Sequence, residues 1–229
     1  MRDPHPPFEA VLFDFDGTLA SVHIDFARLR RKITALAEPF LGEEPEPSDL
    51  PVLEWLDELA DEIREFDHPL GQEFHCRGRL VIQATELDAA REASLFPFTR
   101  PMLAELRATG VKTGILTRNS TAAVKLVFPD VAACCDAFIA REDAPKVKPD
   151  PAHALAVLAR LGVSPARALL VGDHPLDVQA ARQAGLASAA VVSGHSQRKD
   201  FTALAPDFLA ADCLELMLTL RESFLLPQV

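Results

Sequence analysis

The chain has 229 residues, of which 48% are apolar and 25% charged, and a formal charge of −11. That size suits one main domain with a smaller insertion, and the apolar content excludes a mostly disordered chain. The acidic balance argues against a nucleic-acid surface, because phosphate backbones are gripped by clustered Lys and Arg.

The densest basic group, Arg28, Arg30, Arg31 and Lys32, reads as the solvated face of a helix. The sequence shows no basic leader before an apolar stretch and no apolar run of about 18 residues, so no membrane partner is expected and the chain is placed in the cytoplasm. Cys76, Cys134, Cys135 and Cys213 lack metal-ligand spacing and read as reduced, mostly buried small hydrophobes.

In chain order, the first element is the run AVLFDFDGTLAS, which delivers Asp14 and Asp16 to a Gly-Thr turn. Residues i and i+2 of a strand share a face, so both carboxylates can face one site while Phe13 and Phe15 pack elsewhere. Gly17 lets the chain turn out steeply. Asp14 is thereby placed as a nucleophile or metal ligand, and Asp16 as a second carboxylate able to give or take a proton. A lone Asp-x-Asp is a weak signal, shared with metal-dependent glycosyl transfer and with chance helix caps.

Strand rhythm then stops. Helical stretches are predicted near residues 24–37, 53–65 and 72–93, separated by LGEEPEPSDLP and FDHPLG. Residues 21–95 are predicted as an all-helical insertion into a core formed by residues 1–20 and 96–229. Trp55, Leu56, Leu59 and Ile63 fall on one helical face and are expected to pack in a core, as are Leu80, Ile82 and Leu87.

From residue 96 on, strands at 111–117, 137–140, 168–173 and 188–192 alternate with helices. One helix has Thr99 as a possible cap, Pro101 in its first turn and Gly110 at its end; a second runs from Pro151 to Gly162; a third covers PLDVQAARQAG. Strands apolar throughout and joined by helices predict an α/β fold with a doubly wound parallel sheet, a Rossmann-like core. Ligands of such sheets bind beyond the carboxyl ends of the strands.

Those ends carry the unusual polar residues. ILTRNS offers the Thr117 hydroxyl and the amides of Arg118 and Asn119, which lead into a helix where an oxyanion is received. APKVKPDP brings Lys146 or Lys148 to a helix start, where a lysine can neutralise a carboxylate and a phosphoryl group. VGDHPLDV adds Asp173 and Asp177, and such crowding of carboxylates requires a cation; hard oxygen ligands in an incomplete cage suit Mg²⁺. His153, on a helix away from the strand ends, reads as structural. His195, after the last strand, is a candidate for lining the way in.

With DFDGTL, LTRNS, KPDP and GDHPLD in this order between Asp14 and Asp177, the chain resembles the haloacid dehalogenase superfamily, in a phosphoglycolate phosphatase-like branch with a helical cap. The resemblance implies that Asp14 is the nucleophile and Asp16 the general acid and base, with Thr117 and Lys148 holding phosphoryl oxygens. It implies Mg²⁺ on the side chains of Asp14 and Asp173 and the backbone carbonyl of Asp16, with Asp177 in support. Lys148 is preferred to Lys146 because the family's lysine commonly precedes Pro. An acid at Asp16 favours phosphoryl transfer over dehalogenation. One departure is Ala20, which stands where phosphatases resembling phosphoglycolate phosphatase often carry an acid.

The implied function is a Mg²⁺-dependent phosphatase that hydrolyses a small phosphorylated metabolite through an aspartyl phosphate. The runner-up is a sugar phosphomutase. A third reading, a phosphoryl-accepting regulatory module, is opposed by the second aspartate and the large insertion. The insertion resembles the family's mobile cap, which closes over substrate. Arg118, Asn119, His23 and His174 are expected to bind substrate, with Arg77, Arg79 and His195 as further candidates, in a monomer or homodimer.

Overall fold

A computed structural model of the chain describes residues 7–228. Two compact units separate: one ends at Val22 and resumes at Ala90, and the other is His23–Ala89. The elements in chain order are β1 (Ala10–Phe13), β2 (Ala20–Ser21), α1 (Phe26–Leu41), α2 (Val52–Phe66), α3 (His68–Ala90), β3 (Ser94–Leu95), α4 (Thr99–Ala108), β4 (Lys112–Leu116), α5 (Thr121–Val127), α6 (Val131–Cys134), β5 (Ala137–Ile139), α7 (Pro151–Leu161), β6 (Ala168–Gly172), α8 (Pro175–Ala184), β7 (Ala187–Val191), β8 (Phe208–Ala210) and α9 (Cys213–Glu222).

Six parallel strands of the larger unit run in the order β5-β4-β1-β6-β7-β8. β1 pairs with β4 on one side and β6 on the other, with Phe13 opposite Ile115 and Val171. The chain winds outward from β1 to β5 and then returns to β6, so its direction reverses beside β1. That reversal opens a crevice at the strands' carboxyl ends. Helix α7 buries Ala154, Val157, Leu158 and Leu161 in one cluster with Leu12, Leu116, Ile139 and Leu170, which α8 joins through Ala180, Ala181 and Ala184. Val11 and Phe13, alternating with Leu12, face the other side of the sheet and are equally buried. Cover on both faces is why these strands are apolar throughout.

The ends of α7 follow their sequence signals: Asp150 caps it by accepting from the Ala152 amide at 2.9 Å, Pro151 opens it, and Gly162 closes it in the left-handed region. Thr99 departs from expectation. It is the first residue of α4 rather than its cap, and its hydroxyl donates to the Leu19 carbonyl at 2.6 Å, a distant partner that outcompetes the local amide. β2 and β3, an antiparallel pair matching Ala20 with Leu95, escaped sequence reading because two residues per strand carry no period.

The smaller unit contains α1, α2 and most of α3. Asp25 caps α1 by accepting from the Arg28 amide at 2.8 Å, and Leu29, Ile33 and Ala37 line the buried face one turn apart. Trp55, Leu56, Leu59 and Ile63 are buried on α2. On α3, Ile82 is buried and Leu87 half-buried, but Leu80 is 65% exposed, which corrects the packing expected of it. The buried row of α3 runs through Gly71, Phe74, Gly78, Ile82 and Thr85, and a residue two positions from both Gly78 and Ile82 points to the opposite side.

The basic group is also only half as expected. Arg28 and Arg31 are exposed, whereas Arg30 lies over the Trp55 ring at 5.3 Å and donates to the Ser48 carbonyl at 2.8 Å. Lys32 donates to the Thr85 hydroxyl at 2.9 Å. Long apolar stems let these two cover packed surface while their heads satisfy acceptors. Among the described residues no helix is long and apolar enough to cross a membrane.

Candidate active site

At the end of β1 the first polar side chain is Asp14. It is buried, and its Oδ1 accepts from the Phe15 amide at 2.7 Å and pairs with Lys148 Nζ at 2.7 Å. Lys148 is 1% exposed and also reaches Asp177 Oδ1 at 2.5 Å. Asp173 comes from the end of β6 and Asp177 from the first turn of α8. One carboxylate oxygen each from Asp14, Asp173 and Asp177 lie within 4.8 Å of one another. Gly172 allows this crowding: a Cβ there would stand 2.1 Å from Asp177 Cγ.

The charges are not balanced. Burial pushes the Asp14 carboxyl up to about 6, with Lys148 opposing and Asp177 adding to the rise. Burial, followed by the neighbouring Asp14 and Asp177, pushes Asp173 up to about 8. Burial disfavours the Lys148 ammonium, yet Asp14 and Asp177 outweigh it and raise its pKa. One lysine thus faces three carboxylates, a set of hard oxygen donors that a divalent cation fits.

Asp16 is half-buried, two residues beyond Asp14, and both its oxygens accept from Asn119 Nδ2 at 3.2 Å. Asn119 is itself pinned, since its Oδ1 accepts from the Ser120 amide at 2.8 Å. Thr117 is fully buried and its hydroxyl accepts from the Asn119 amide at 3.0 Å. Asn119, read from sequence as a substrate contact, is here the residue that orients the Asp16 carboxylate. Arg118, given the same reading, donates from its guanidinium to the Lys148 carbonyl. Its own carbonyl accepts from the buried Arg141 at 3.0 Å.

His174 is exposed and caps α8: its Nδ1 accepts from the Leu176 amide at 3.2 Å, while its own amide donates to Asp177 Oδ2 at 3.0 Å. His195 is exposed, and its amide donates to Asp173 Oδ2 at 3.1 Å. The loop that carries it also places the Ser193 hydroxyl on the Gly17 carbonyl at 2.7 Å. Gly17, at φ +73°, and Gly194 meet over Asp173, whose Oδ2 would lie 2.2 Å from a Cβ on Gly17. From sequence this loop offers the His195 side chain as a candidate; the Ser-Gly pair after a strand is the signal that marks its backbone role.

Lys146 is exposed and pairs with Asp150 at 3.5 Å, so the lysine beside Asp14 is Lys148. His153 is not away from the strand ends. It is fully buried, with Nδ1 accepting from the Lys148 amide at 3.3 Å and Nε2 against the Ile139 carbonyl at 3.3 Å. Three candidates belong to the smaller unit. His23 is its exposed first residue, Arg77 pairs with Glu73 and lies over the Phe40 ring at 5.7 Å, and Arg79 is half-buried on α3.

A family model described as haloacid dehalogenase-like hydrolase matches residues 8–185, which hold the ends of β1, β4, β5 and β6 but not the loop after β7. The chain belongs to this family. A phosphoglycolate phosphatase of Yersinia pseudotuberculosis serotype I is 30% identical over 217 residues, 90% of each chain. One of Shigella dysenteriae serotype 1 is 27% identical over 225 residues, 87% of each. The crystal structure of a HAD phosphatase from Thermococcus onnurineus is 25% identical, with a TM-score of 0.59 over 93% of this chain and 98% of that one. This haloacid dehalogenase-like hydrolase therefore stands in the phosphoglycolate phosphatase-like branch and is a phosphoric monoester hydrolase.

Proposed function

We propose that this hydrolase cleaves a small phosphorylated metabolite in two steps through an aspartyl phosphate on Asp14, with Mg²⁺ as its metal. The observation that carries the proposal is the buried carboxylate at the end of β1, with an ammonium at 2.7 Å and two further carboxylates clustered around it. In the first step an Asp14 oxygen attacks phosphorus and the ester bond to the leaving oxygen breaks, while the carboxylic acid of Asp16 gives that oxygen its proton. In the second, the Asp16 carboxylate takes a proton from water as the water oxygen attacks phosphorus. The bond to Asp14 breaks, free phosphate leaves, and both aspartates return to their starting forms.

Thr117 and the Lys148 ammonium hold the phosphoryl oxygens as charge builds on them. Asn119 keeps Asp16 aimed. Asp14 and Asp173 would hold Mg²⁺ together with the Asp16 backbone carbonyl, while Asp177 anchors Lys148. When bound, the ion offsets the excess of carboxylates and polarises the phosphoryl group. The helical unit His23–Ala89 takes the part of the family's cap, with His23, Arg77 and Arg79 as its contributions to substrate selection. Four free thiols suit a reducing compartment such as the cytoplasm.

The relatives' name makes 2-phosphoglycolate the first metabolite to test, with Ala20 as the residue that argues for a wider screen. The experiment is phosphate release from p-nitrophenyl phosphate, 2-phosphoglycolate and a panel of sugar phosphates, in MgCl₂ and in EDTA. Release in MgCl₂ only, abolished by Asp14→Asn, is the expected result. Normal turnover by Asp14→Asn overturns the proposal, and isomerised sugar phosphate without free phosphate replaces it with a mutase.

A further inference from the structure

His153 has no part in the two steps above, yet it is fully buried; one ring nitrogen meets the backbone of Lys148, which does take part, and the other a strand carbonyl that also holds the Thr117 amide. Its Nδ1 faces the Lys148 amide at 3.3 Å and its Nε2 the Ile139 carbonyl at 3.3 Å. The same Ile139 carbonyl accepts from the Thr117 amide at 3.2 Å. An amide only donates and a carbonyl only accepts, so the ring is the neutral tautomer with the proton on Nε2. Burial, followed by the Lys148 charge, pushes the imidazole down to about 3, which keeps the ring neutral at working pH.

Lys148 leaves little room for error. Its side chain is buried and stretched between Asp14 and Asp177, so the position of its ammonium follows the position of its main chain. That peptide is gripped at both ends, its N–H by His153 and its carbonyl by the Arg118 guanidinium. We propose that His153 is a positioning residue: it ties the Lys148 backbone to the carbonyl that also fixes Thr117, and so sets the spacing of the two groups that hold the phosphoryl oxygens. The role rests on the phosphatase reading. Displacing a catalytic group by about 1 Å costs on the order of 10²-fold in rate, so such a tie has a measurable effect.

The test compares His153→Asn, His153→Gln and His153→Leu by kcat and KM on p-nitrophenyl phosphate in MgCl₂, with thermal melts of each. Asn places its amide oxygen near the position of Nδ1 and can still accept from Lys148, whereas the longer Gln places its amide near Nε2 and Leu supplies only bulk. The expected ranking in kcat is wild type, then Asn, with Gln and Leu lower by about 10- to 100-fold and KM changing far less. A Leu variant as active as wild type, or an Asn variant no better than Gln, overturns the proposal; if Leu does not fold, the Asn and Gln pair decides.

An independent readout is the ¹⁵N spectrum of the imidazole, expected to show a bare Nδ1 and a protonated Nε2 from pH 8 down to pH 5. A protonated Nδ1 in that range overturns the proposal. A wild type that hydrolyses no phosphate ester fails the phosphatase reading, while turnover unaffected by every His153 change fails the positioning role, so the two failures are told apart.

Discussion

Asp16 lies two residues from Asp14 but owes its orientation to Asn119, which is 103 residues away in the chain. Period-two spacing makes the aspartate pair legible at once, because any strand puts i and i+2 on one face. No local pattern announces that Asn119 bonds Asp16, or that Arg118 turns to the Lys148 carbonyl, since both depend on how β1, β4 and the lysine loop come together. Asn119→Ala is expected to lower kcat about 10-fold by freeing Asp16, the proposed general acid, with KM nearly unchanged in steady-state assays. Gly172→Ala forces a Cβ into the Asp177 carboxylate, which must give up its hold on Lys148. Loss of most activity together with a lower melting temperature is the result to look for.

The long apolar strands and the helices bounded by Pro and Gly could be read from sequence because local chemistry and tertiary role agree there, as in α7 with Asp150, Pro151 and Gly162. β8 and α9 could not. Three residues carry no period, and α9 exposes Leu214 and Leu218 as well as burying Leu216, Met217 and Leu220, so its apolar residues mark no single face. Leu80 teaches the same lesson within α3, where apolar character alone does not fix direction. Phe74 of that helix is fully buried, and Phe74→Ala is expected to destabilise the helical unit by about 3–5 kcal/mol, read as a lower urea midpoint for that unit. Asp150→Ala removes the cap of α7 at a cost of about 1 kcal/mol. A cap-neutral Asp150→Ser should restore most of it.

Across the whole molecule, the proposed metal and protons would compete for one acidic cluster. In the folded chain the Asp173 and Asp14 carboxyls sit at about 8 and about 6, above their ordinary 3.8. Between those values the folded state binds protons that the unfolded chain has released, so metal-free stability falls as pH rises through this window. A divalent ion held by these aspartates would take the place of those protons. The gain in melting temperature from saturating MgCl₂ over EDTA should therefore be larger at pH 8 than at pH 6, and an equal gain at both would argue against metal on these aspartates.

Nucleophilic attack by Asp14 is tested most directly in the Asp16→Asn protein, because p-nitrophenolate leaves without a proton and only the second step needs the base. Rapid mixing of that variant with p-nitrophenyl phosphate and MgCl₂ should release a burst of about one equivalent of nitrophenolate per chain, with phosphate recovered on the Asp14 peptide. Linear release without a burst, with no phosphate on Asp14, would contradict the account.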